Sequence, residues 1–223
     1  MTLYLSRIRL SRSPSAQALA PLLTPKSTGL RRSAAHNLLW SAFSDGPDRQ
    51  RDFLWREDES GAFIVLSVRP PIVSDLFEPH QVKPFAPTLR PGDRLAFRLR
   101  ANATRMKRGG QRVDVVMDAL HGLPREERAA HRMELASSAG RDWMSRQGER
   151  SGFRLLEATA EDYSAEALSA HRGPRKGQPQ FGILDLAGQL EVSEPAAFVA
   201  ALGAGFGRAK AFGCGLMLIR RAP

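Results

Sequence analysis

The feature that most constrains the fold is an alternation of side chains between positions 94 and 102. Every second residue of this stretch is apolar: Leu95, Phe97, Leu99 and Ala101. Positive charges at Arg98 and Arg100 lie between them. Because neighbouring side chains of a β-strand point to opposite faces, this pattern predicts a strand with one buried face and one basic face.

The residues before this strand show patterns typical of further elements. Apolar periodicity and a turn-forming segment indicate a strand at 3–10, a helix at 31–43 and a hairpin of strands at 52–56 and 63–68. A Pro- and Ser-rich loop is expected at 11–28 and a short helix at 74–78. With the strand at 94–102, the order is strand, helix, strand, strand, helix, strand, as in ferredoxin-like folds and RNA-recognition modules.

The second half is interpreted similarly. We expect strands at 111–117 and 152–159 around a helical region at 124–147, two short strands at 181–186 and 189–192 that turn through Ala187-Gly188, a helix at 195–202 capped by Ser193, and a strand at 216–219. A flexible loop is expected at 160–179. The sequence thus predicts an α+β protein of two tandem ferredoxin-like (RRM-like) βαββαβ domains, 1–90 and 91–223, between which the strand at 93–102 is a candidate for sharing.

The charge of the chain indicates an anionic partner. Lys and Arg number 33 against 23 Asp and Glu, which gives a formal net charge of +10. This excess suits nucleic acid or an anionic membrane surface. No window has the roughly 18 apolar residues of a membrane span, and the first ten residues lack the apolar run of a signal peptide. Cys214 is the only cysteine, so an internal disulfide is excluded, in agreement with a cytoplasmic location.

A basic segment between two strand-like stretches is the first candidate binding site. It spans 104–112 and contains four cations: Arg105, Lys107, Arg108 and Arg112. Gly109 and Gly110 suit the tip of a hairpin. Such a hairpin could contact the phosphates of an RNA stem-loop, supported by Arg98 and Arg100 on the neighbouring strand. The alternative is a solvated turn without a specific partner.

A glycine-rich segment at 203–216 is the second candidate. It combines Arg208 and Lys210 with four closely spaced glycines: Gly205, Gly207, Gly213 and Gly215. Glycine permits close backbone approach, so N–H groups could face a phosphate that the cations neutralise. A dinucleotide-binding loop does not fit, because that loop follows a strand and opens a helix, whereas this one follows a helix. A purely structural turn remains open.

His36 is the candidate catalytic residue. The five histidines are too dispersed for a paired metal-ligand motif, so no metal and no other cofactor is expected. His36 follows a basic stretch at 26–32, and an imidazole there could accept a proton from a ribose 2′-hydroxyl. The alternative is a structural histidine on the face of Trp40 and Phe43.

Several motifs, in this order along nearly the whole chain, resemble the CasE family of crRNA-processing endoribonucleases. They are Leu3–Arg7, His36–Phe43, Arg51–Trp55, Phe97–Asn102, Gly152–Glu157 and Gly205–Leu216. The resemblance implies metal-independent cleavage of CRISPR repeat RNA at the base of its stem-loop, with His36 catalytic and a 2′,3′-cyclic phosphate product. It also implies a protein that is monomeric when free, keeps its crRNA stem-loop and joins other Cascade subunits, away from membranes.

One residue departs from the family pattern. Familiar relatives have a tyrosine three residues before the histidine, whereas this chain has Ser33. A serine hydroxyl is far less acidic than a phenol and does not simply inherit a proton-transfer role. A non-catalytic RNA-binding subunit therefore remains the main alternative, followed by a nucleotide-cofactor enzyme that uses the C-terminal glycines. No function is assigned to the segment at 122–139.

Overall fold

The structure is a computed structural model that describes residues 2–23, 25, 28–46, 48–167 and 180–222. These residues form two compact units. The first comprises 2–86 with Ala167 and Lys210–Gly213, and the second comprises Pro87–Glu166, Gln180–Ala209 and 214–222. Each unit contains a four-stranded antiparallel sheet, which confirms the predicted α+β class. No helix in the described ranges is long and apolar enough to cross a membrane.

The first unit has four strands and two helices. They are β1 (Leu3–Ile8), α1 (Pro14–Leu23), α2 (Thr28–Ser41), β2 (Phe53–Glu57), β3 (Phe63–Ser67) and β4 (Gln81–Phe85). The sheet order is β2-β3-β1-β4, with Leu5 opposite Leu66 on one side and Lys83 on the other. This is the ferredoxin-like sheet, with the predicted β2–β3 hairpin at one edge.

The core of the first unit lies between α2 and the sheet. Leu39 of α2 and Phe43, which lies two residues beyond its end, are fully buried together with Ile8 and Trp55. Phe43 stacks on Phe53 with ring centroids 4.7 Å apart. Since full burial of such a side chain is worth about 1.5–3 kcal/mol, these contacts fix the position of α2 on the sheet.

The second unit contains the remaining elements except a 3₁₀ helix at Lys210–Phe212, which belongs to the first unit. They are β5 (Arg94–Ala101), β6 (Thr104–Met106), β7 (Arg112–Asp114), α3 (Val115–His121), α4 (Arg132–Ser151), β8 (Phe153–Ala167), β9 (Gln180–Val192), α5 (Pro195–Ala204) and β10 (Met217–Arg221). The sheet order β10-β5-β9-β8 is again ferredoxin-like, and β6 pairs with β7 in a separate hairpin.

The alternation at 94–102 forms the strand β5 with one buried face, as predicted. Leu95, Phe97 and Leu99 are buried at 1–3% exposure, whereas Arg98 and Arg100 lie on the opposite face. The strand pairs with β9 and β10, so the described residues do not place it in the first sheet. The fourth strand of the first sheet is β4 instead.

Two expectations for the first unit are wrong. The predicted loop at 11–28 contains helix α1, because Ser13 caps it by accepting the N–H of Ala16 at 3.3 Å and Pro14 suits the first turn. The predicted helix at 74–78 is absent from the described chain. The strand β4, which was not predicted, comes shortly after these residues. Pro84 is tolerated there because β4 is an edge strand.

The hairpin region departs from the expected strand at 111–117. Only β7 (Arg112–Asp114) is a strand. The Asp114 side chain accepts the N–H groups of Val116 and Met117, each at 3.0 Å, and so starts α3. The helical region expected at 124–147 becomes α4, which begins later, after turns at 124–131.

Three further boundaries differ in the second unit. Ala187-Gly188 does not turn, because it lies within the continuous strand β9. Helix α5 is capped by Glu194 rather than Ser193, without a side-chain hydrogen bond. The flexible loop expected at 160–179 is strand β8 up to Ala167, and its remainder lies outside the described residues.

Candidate active site

His36 projects from α2 onto the aromatic edge of the first core. Its ring centroid lies 5.9 Å from that of Trp40 and 6.1 Å from that of Phe53. The residue is half-buried, and its Nδ1 atom has no hydrogen-bond partner among the described residues. Burial, and then the positive charge of Arg51, lower the pKa of His36 below 6.5. The neutral imidazole, which can accept a proton, is therefore favoured near neutral pH.

Arg51 supplies the positive charge beside His36, although no sequence pattern indicated a functional role for it. Its acidic neighbours already have partners, since Asp52 pairs with Arg69 at 2.8 Å and Asp45 pairs with Arg49. No ion pair joins Arg51 to a carboxylate in the described chain, so its charge remains available. The only sequence signal for Arg51 is its place in the motif at 51–55.

Lys210 is brought to the same site by the 3₁₀ helix at Lys210–Phe212. This helix packs against α2 and β2, and Arg32 donates to the carbonyl of Phe212 at 3.3 Å. Partial burial, followed by the charge of Arg51, lowers the pKa of Lys210. His36, Arg51 and Lys210 thus form a group with excess positive potential, which favours binding of a phosphate anion.

Ser33 lies in different surroundings from His36, although both are on α2. Ser33 is half-buried and lines a cavity of about 510 Å³ with apolar neighbours that include Leu22, Leu30 and Leu38. His36 does not line this cavity. The geometry therefore gives no support for proton transfer by a Ser33–His36 pair.

Backbone hydrogen bonds to α5 and β5 hold the glycine-rich segment. The N–H of Gly205 donates to Ala201 at 2.8 Å and that of Gly215 donates to Arg100 at 2.7 Å, so neither can face a phosphate as expected. A Cβ on Gly207 would lie 2.7 Å from the carbonyl oxygen of Asn102. Because this distance is too short, close packing requires a glycine at position 207. These bonds favour the structural interpretation of the glycines over a nucleotide-binding loop. Arg208 is exposed beside them.

The predicted basic hairpin is present as β6–β7, with Met106 opposite Arg112 and the turn at 107–111. Arg105 and Lys107 both form ion pairs with Asp118 of α3. Arg112 donates to the sulfur of Met106 at 3.3 Å. Arg108 is exposed and has no ion pair among the described residues. The hairpin therefore exposes two kinds of cation. Arg105 and Lys107 are neutralised by Asp118, whereas Arg108 and Arg112 have no ion pair among the described residues.

The basic face of β5 is largely neutralised by ion pairs. Arg100 binds Asp185 with both Nε and Nη2, at 2.8–3.2 Å, and only 21% of its side chain is exposed. Arg98 pairs with Glu161 at 3.1 Å. None of the β9 and β10 residues that pair with this face of β5 is aromatic; they are Asp185, Ala187, Gln189, Glu191, Leu218 and Arg220. This paired part of the face therefore lacks the stacked aromatic residues of an RNA-recognition module.

Comparisons with known proteins identify relatives over the whole length. A family model described as CRISPR associated protein matches residues 3–221. The CRISPR-associated endoribonuclease Cse3 of Thermus thermophilus is 33% identical over 222 residues, covering 89% of this chain and 96% of that protein. A structure of Cse3 bound to a 19-nucleotide RNA matches with a TM-score of 0.68 and 27% identity, over 100% of this chain and 98% of the other.

A chain of a CRISPR RNA-guided surveillance complex shares the fold at a TM-score of 0.60 and 18% identity, over 98% of this chain and 100% of the other. The sequence motifs, the two ferredoxin-like sheets and these matches agree along the full chain. The protein belongs to the CasE (Cse3) family of CRISPR-associated proteins.

Proposed function

We propose that this protein is an endoribonuclease that cuts CRISPR repeat RNA at the base of its stem-loop and keeps the product bound. Family membership supports this activity. The observation that carries the proposal is the half-buried imidazole of His36, whose pKa is lowered by burial and by Arg51, with Lys210 at the same site. This combination suits deprotonation of a hydroxyl next to a phosphate.

The proposed reaction needs no metal ion. The neutral His36 accepts the proton of the ribose 2′-hydroxyl, and the 2′-oxygen forms a bond to the adjacent phosphorus. The bond from phosphorus to the 5′-oxygen breaks, which leaves a 2′,3′-cyclic phosphate on one fragment and a 5′-hydroxyl on the other. Alignment of the 2′-oxygen with the scissile phosphate supplies much of the rate enhancement.

Arg51 and Lys210 stabilise the charge that develops on the phosphate oxygens. Fixed donors at such a position act without reorganisation during the reaction. Arg51 suits this role because its acidic neighbours Asp45 and Asp52 pair with Arg49 and Arg69. Its guanidinium can therefore bind two phosphate oxygens at once.

The leaving 5′-oxygen receives its proton from His36, which holds one after the first step, or from water. Ser33 takes no part in this scheme, because it faces an apolar cavity that His36 does not line. Transfer by His36 returns the imidazole to its neutral form, so that the protein regains its starting protonation state without another acid.

RNA is held by cations of the second unit. Arg108 and Arg112 of the hairpin are exposed and can bind phosphates, and Arg208 is exposed beside the glycine-rich segment. Arg105 and Lys107 keep about half of their side chains exposed although they pair with Asp118. Arg100 forms an ion pair with Asp185, and its proposed role is to stabilise the fold rather than to bind RNA.

We further infer that the protein remains on its crRNA as a subunit of a cytoplasmic Cascade surveillance complex. Membership of the CasE family supports this assembly. The fold that the protein shares with a chain of a CRISPR RNA-guided surveillance complex is compatible with it.

The test compares His36→Ala with the wild type on the repeat RNA of the host, in excess chelator and under single-turnover conditions. We expect cleavage to fall to the uncatalysed background, unchanged repeat-RNA affinity, and a cyclic phosphate on the wild-type product. His121→Ala is the matched control, because His121 is an exposed histidine at the end of α3. Undiminished cleavage by His36→Ala would remove His36 from the mechanism.

A non-catalytic RNA-binding subunit is the second candidate, favoured by Ser33 in place of the family tyrosine. It predicts that the wild type binds the repeat hairpin tightly but leaves it intact, with or without added divalent metal. Cleavage by the wild type in chelator excludes this candidate.

A further inference from the structure

The β6–β7 hairpin presents its cations on two faces. Arg105 and Lys107 are two residues apart along the chain, so their side chains leave the hairpin on the same side. Met106 and Arg112 are direct partners across the ladder and lie on the other side, in contact at 3.3 Å. The two pairs therefore meet different surroundings.

Asp118 neutralises the first of these pairs. Asp114 starts α3 as its cap, and Asp118 follows one turn later. One carboxylate oxygen of Asp118 binds Arg105 and the other binds Lys107. Only 7% of the Asp118 side chain is exposed, against 46% and 44% for the two cations. The hydrogen bonds from Lys107 and Arg105 lower the pKa of Asp118, so it is ionised near neutral pH.

This contact fixes two side chains that are otherwise among the most flexible in proteins. Arginine has five N–H donors and lysine has three, so both keep donors for an RNA phosphate while they bind the carboxylate. The ordering entropy of the two side chains is lost on folding instead of on RNA binding. The carboxylate also reduces their combined charge from two to one.

We propose that Asp118 is a specificity-determining residue of the RNA surface, acting as a positioning residue that holds Arg105 and Lys107 side by side and cancels one of their charges. Binding then depends on the spacing of phosphates in the folded stem more than on charge alone. This inference rests on the proposed function, because it concerns recognition of the same RNA hairpin.

The first test replaces Asp118 by Asn and measures the affinity for two RNAs at several salt concentrations. One is the repeat hairpin, and the other is a single-stranded RNA of equal length and composition without a stem. Both are measured in the His36→Ala background, which prevents cleavage. One additional net charge steepens the salt dependence of single-strand binding by about 0.7, which is about a fivefold gain in affinity at about 0.1 M salt.

The repeat hairpin is expected to gain less than the single strand, because Arg105 and Lys107 are no longer held in place. The ratio of the two affinities therefore falls. Glu126→Gln is the matched control, since it adds the same net charge at an exposed position outside the hairpin. Its affinity ratio and salt dependence are expected to equal those of the parent.

A second variant separates charge from geometry. Asp118→Glu keeps the charge but displaces the carboxylate by one methylene group. We expect a salt dependence like that of the parent, unchanged single-strand affinity and weaker binding of the repeat hairpin. Thermal unfolding of each variant shows whether the second unit remains folded, and Asp118→Glu provides the test if Asp118→Asn unfolds.

The inference is overturned if Asp118→Asn raises both affinities equally, because Asp118 then acts through charge alone. It is also overturned if neither affinity nor the salt dependence changes, because the hairpin is then outside the RNA surface. These outcomes differ from failure of the proposed function, in which the parent itself neither prefers the repeat hairpin nor cleaves it when His36 is restored.

Discussion

Gly213→Ala is expected to destabilise the first unit and to displace Lys210, although it removes no cationic side chain. Gly213 has a φ of +78°, and a Cβ there would lie 3.1 and 3.2 Å from Cζ3 and Cη2 of Trp55. The Trp55 ring is 1% exposed and packs edge-on against Phe63, with centroids 5.7 Å apart, so it has little room to move. The left-handed backbone costs about 1–2 kcal/mol.

The contact with Trp55 adds about 1–3 kcal/mol for overpacking, so the substitution costs roughly 2–5 kcal/mol in total. Two glycines of the same unit provide matched controls. Gly61 has a φ of +75° and open space for a Cβ, so Gly61→Ala tests the backbone cost alone. Gly46 has open space and no positive φ, so Gly46→Ala is expected to leave stability nearly unchanged.

The assay is urea unfolding followed by tryptophan fluorescence, together with single-turnover cleavage and hairpin affinity. We expect destabilisation in the order Gly213→Ala, Gly61→Ala, Gly46→Ala, and slower cleavage for Gly213→Ala alone because Lys210 precedes it in the same segment. Equal destabilisation by Gly213→Ala and Gly61→Ala would refute the role of Trp55. Weaker RNA binding with unchanged stability would instead assign Gly213 to the RNA surface.

Three further substitutions test the candidate site and the second sheet. Arg51→Gln is expected to slow single-turnover cleavage by about 10²–10³-fold, as for loss of one fixed donor to a transition-state oxyanion. In the proposed mechanism, cleavage requires neutral His36 and rises with pH through its pKa, so removing a charge that lowers this pKa should move the acid limb of the pH–rate profile to higher pH; an unmoved limb would contradict the coupling. Arg100→Met should cost about 1–3 kcal/mol in urea unfolding, because it leaves the 15%-exposed Asp185 without its partner, whereas Arg98→Met should cost at most about 1 kcal/mol. Neither Arg100→Met nor Arg98→Met should weaken RNA binding as strongly as loss of Arg108. Strongly weakened RNA binding by Arg100→Met would instead indicate that Arg100 contacts the RNA.

The elements with clear periodicity were predictable from the sequence. The alternation at 94–102 indicated β5 and its buried face, and the helical spacing of His36, Trp40 and Phe43 indicated α2, although the helix ends at Ser41, before Phe43. Both patterns reflect burial of one face against a sheet or a helix, which acts on every residue of the element. The ferredoxin-like class was predicted correctly, although the first sheet takes β4 rather than the strand at 94–102 as its fourth strand, and the helix expected at 74–78 is absent from the described chain.

Elements determined by single residues were not predictable in the same way. Ser13 and Pro14 start α1, although Ser and Pro also typify loops. Pro84 lies in β4 because the strand is at an edge, a position known only once the sheet is formed. Local composition does not distinguish these cases.

The candidate active-site residues His36, Arg51 and Lys210 come from distant parts of the chain. Arg51 could not be selected, because its importance follows from the pairing of Asp52 with Arg69 and from the position of Lys210. The sequence likewise did not distinguish the cations of the hairpin from one another. In the structure, Asp118 pairs with Arg105 and Lys107 but not with Arg108 or Arg112. Such distinctions arise from tertiary ion pairs, which composition does not encode.

The short stretch Lys210–Gly213 makes the first unit discontinuous along the chain. A fragment that ends at Ala86 would lack the lysine proposed to bind phosphate and the backbone that packs on Trp55. Exchange of N-terminal halves between relatives would likewise join a histidine from one parent to a lysine from the other. A transplant of the proposed catalytic residues therefore requires the chain up to Ala86 and the separate stretch Lys210–Gly213 from the same parent.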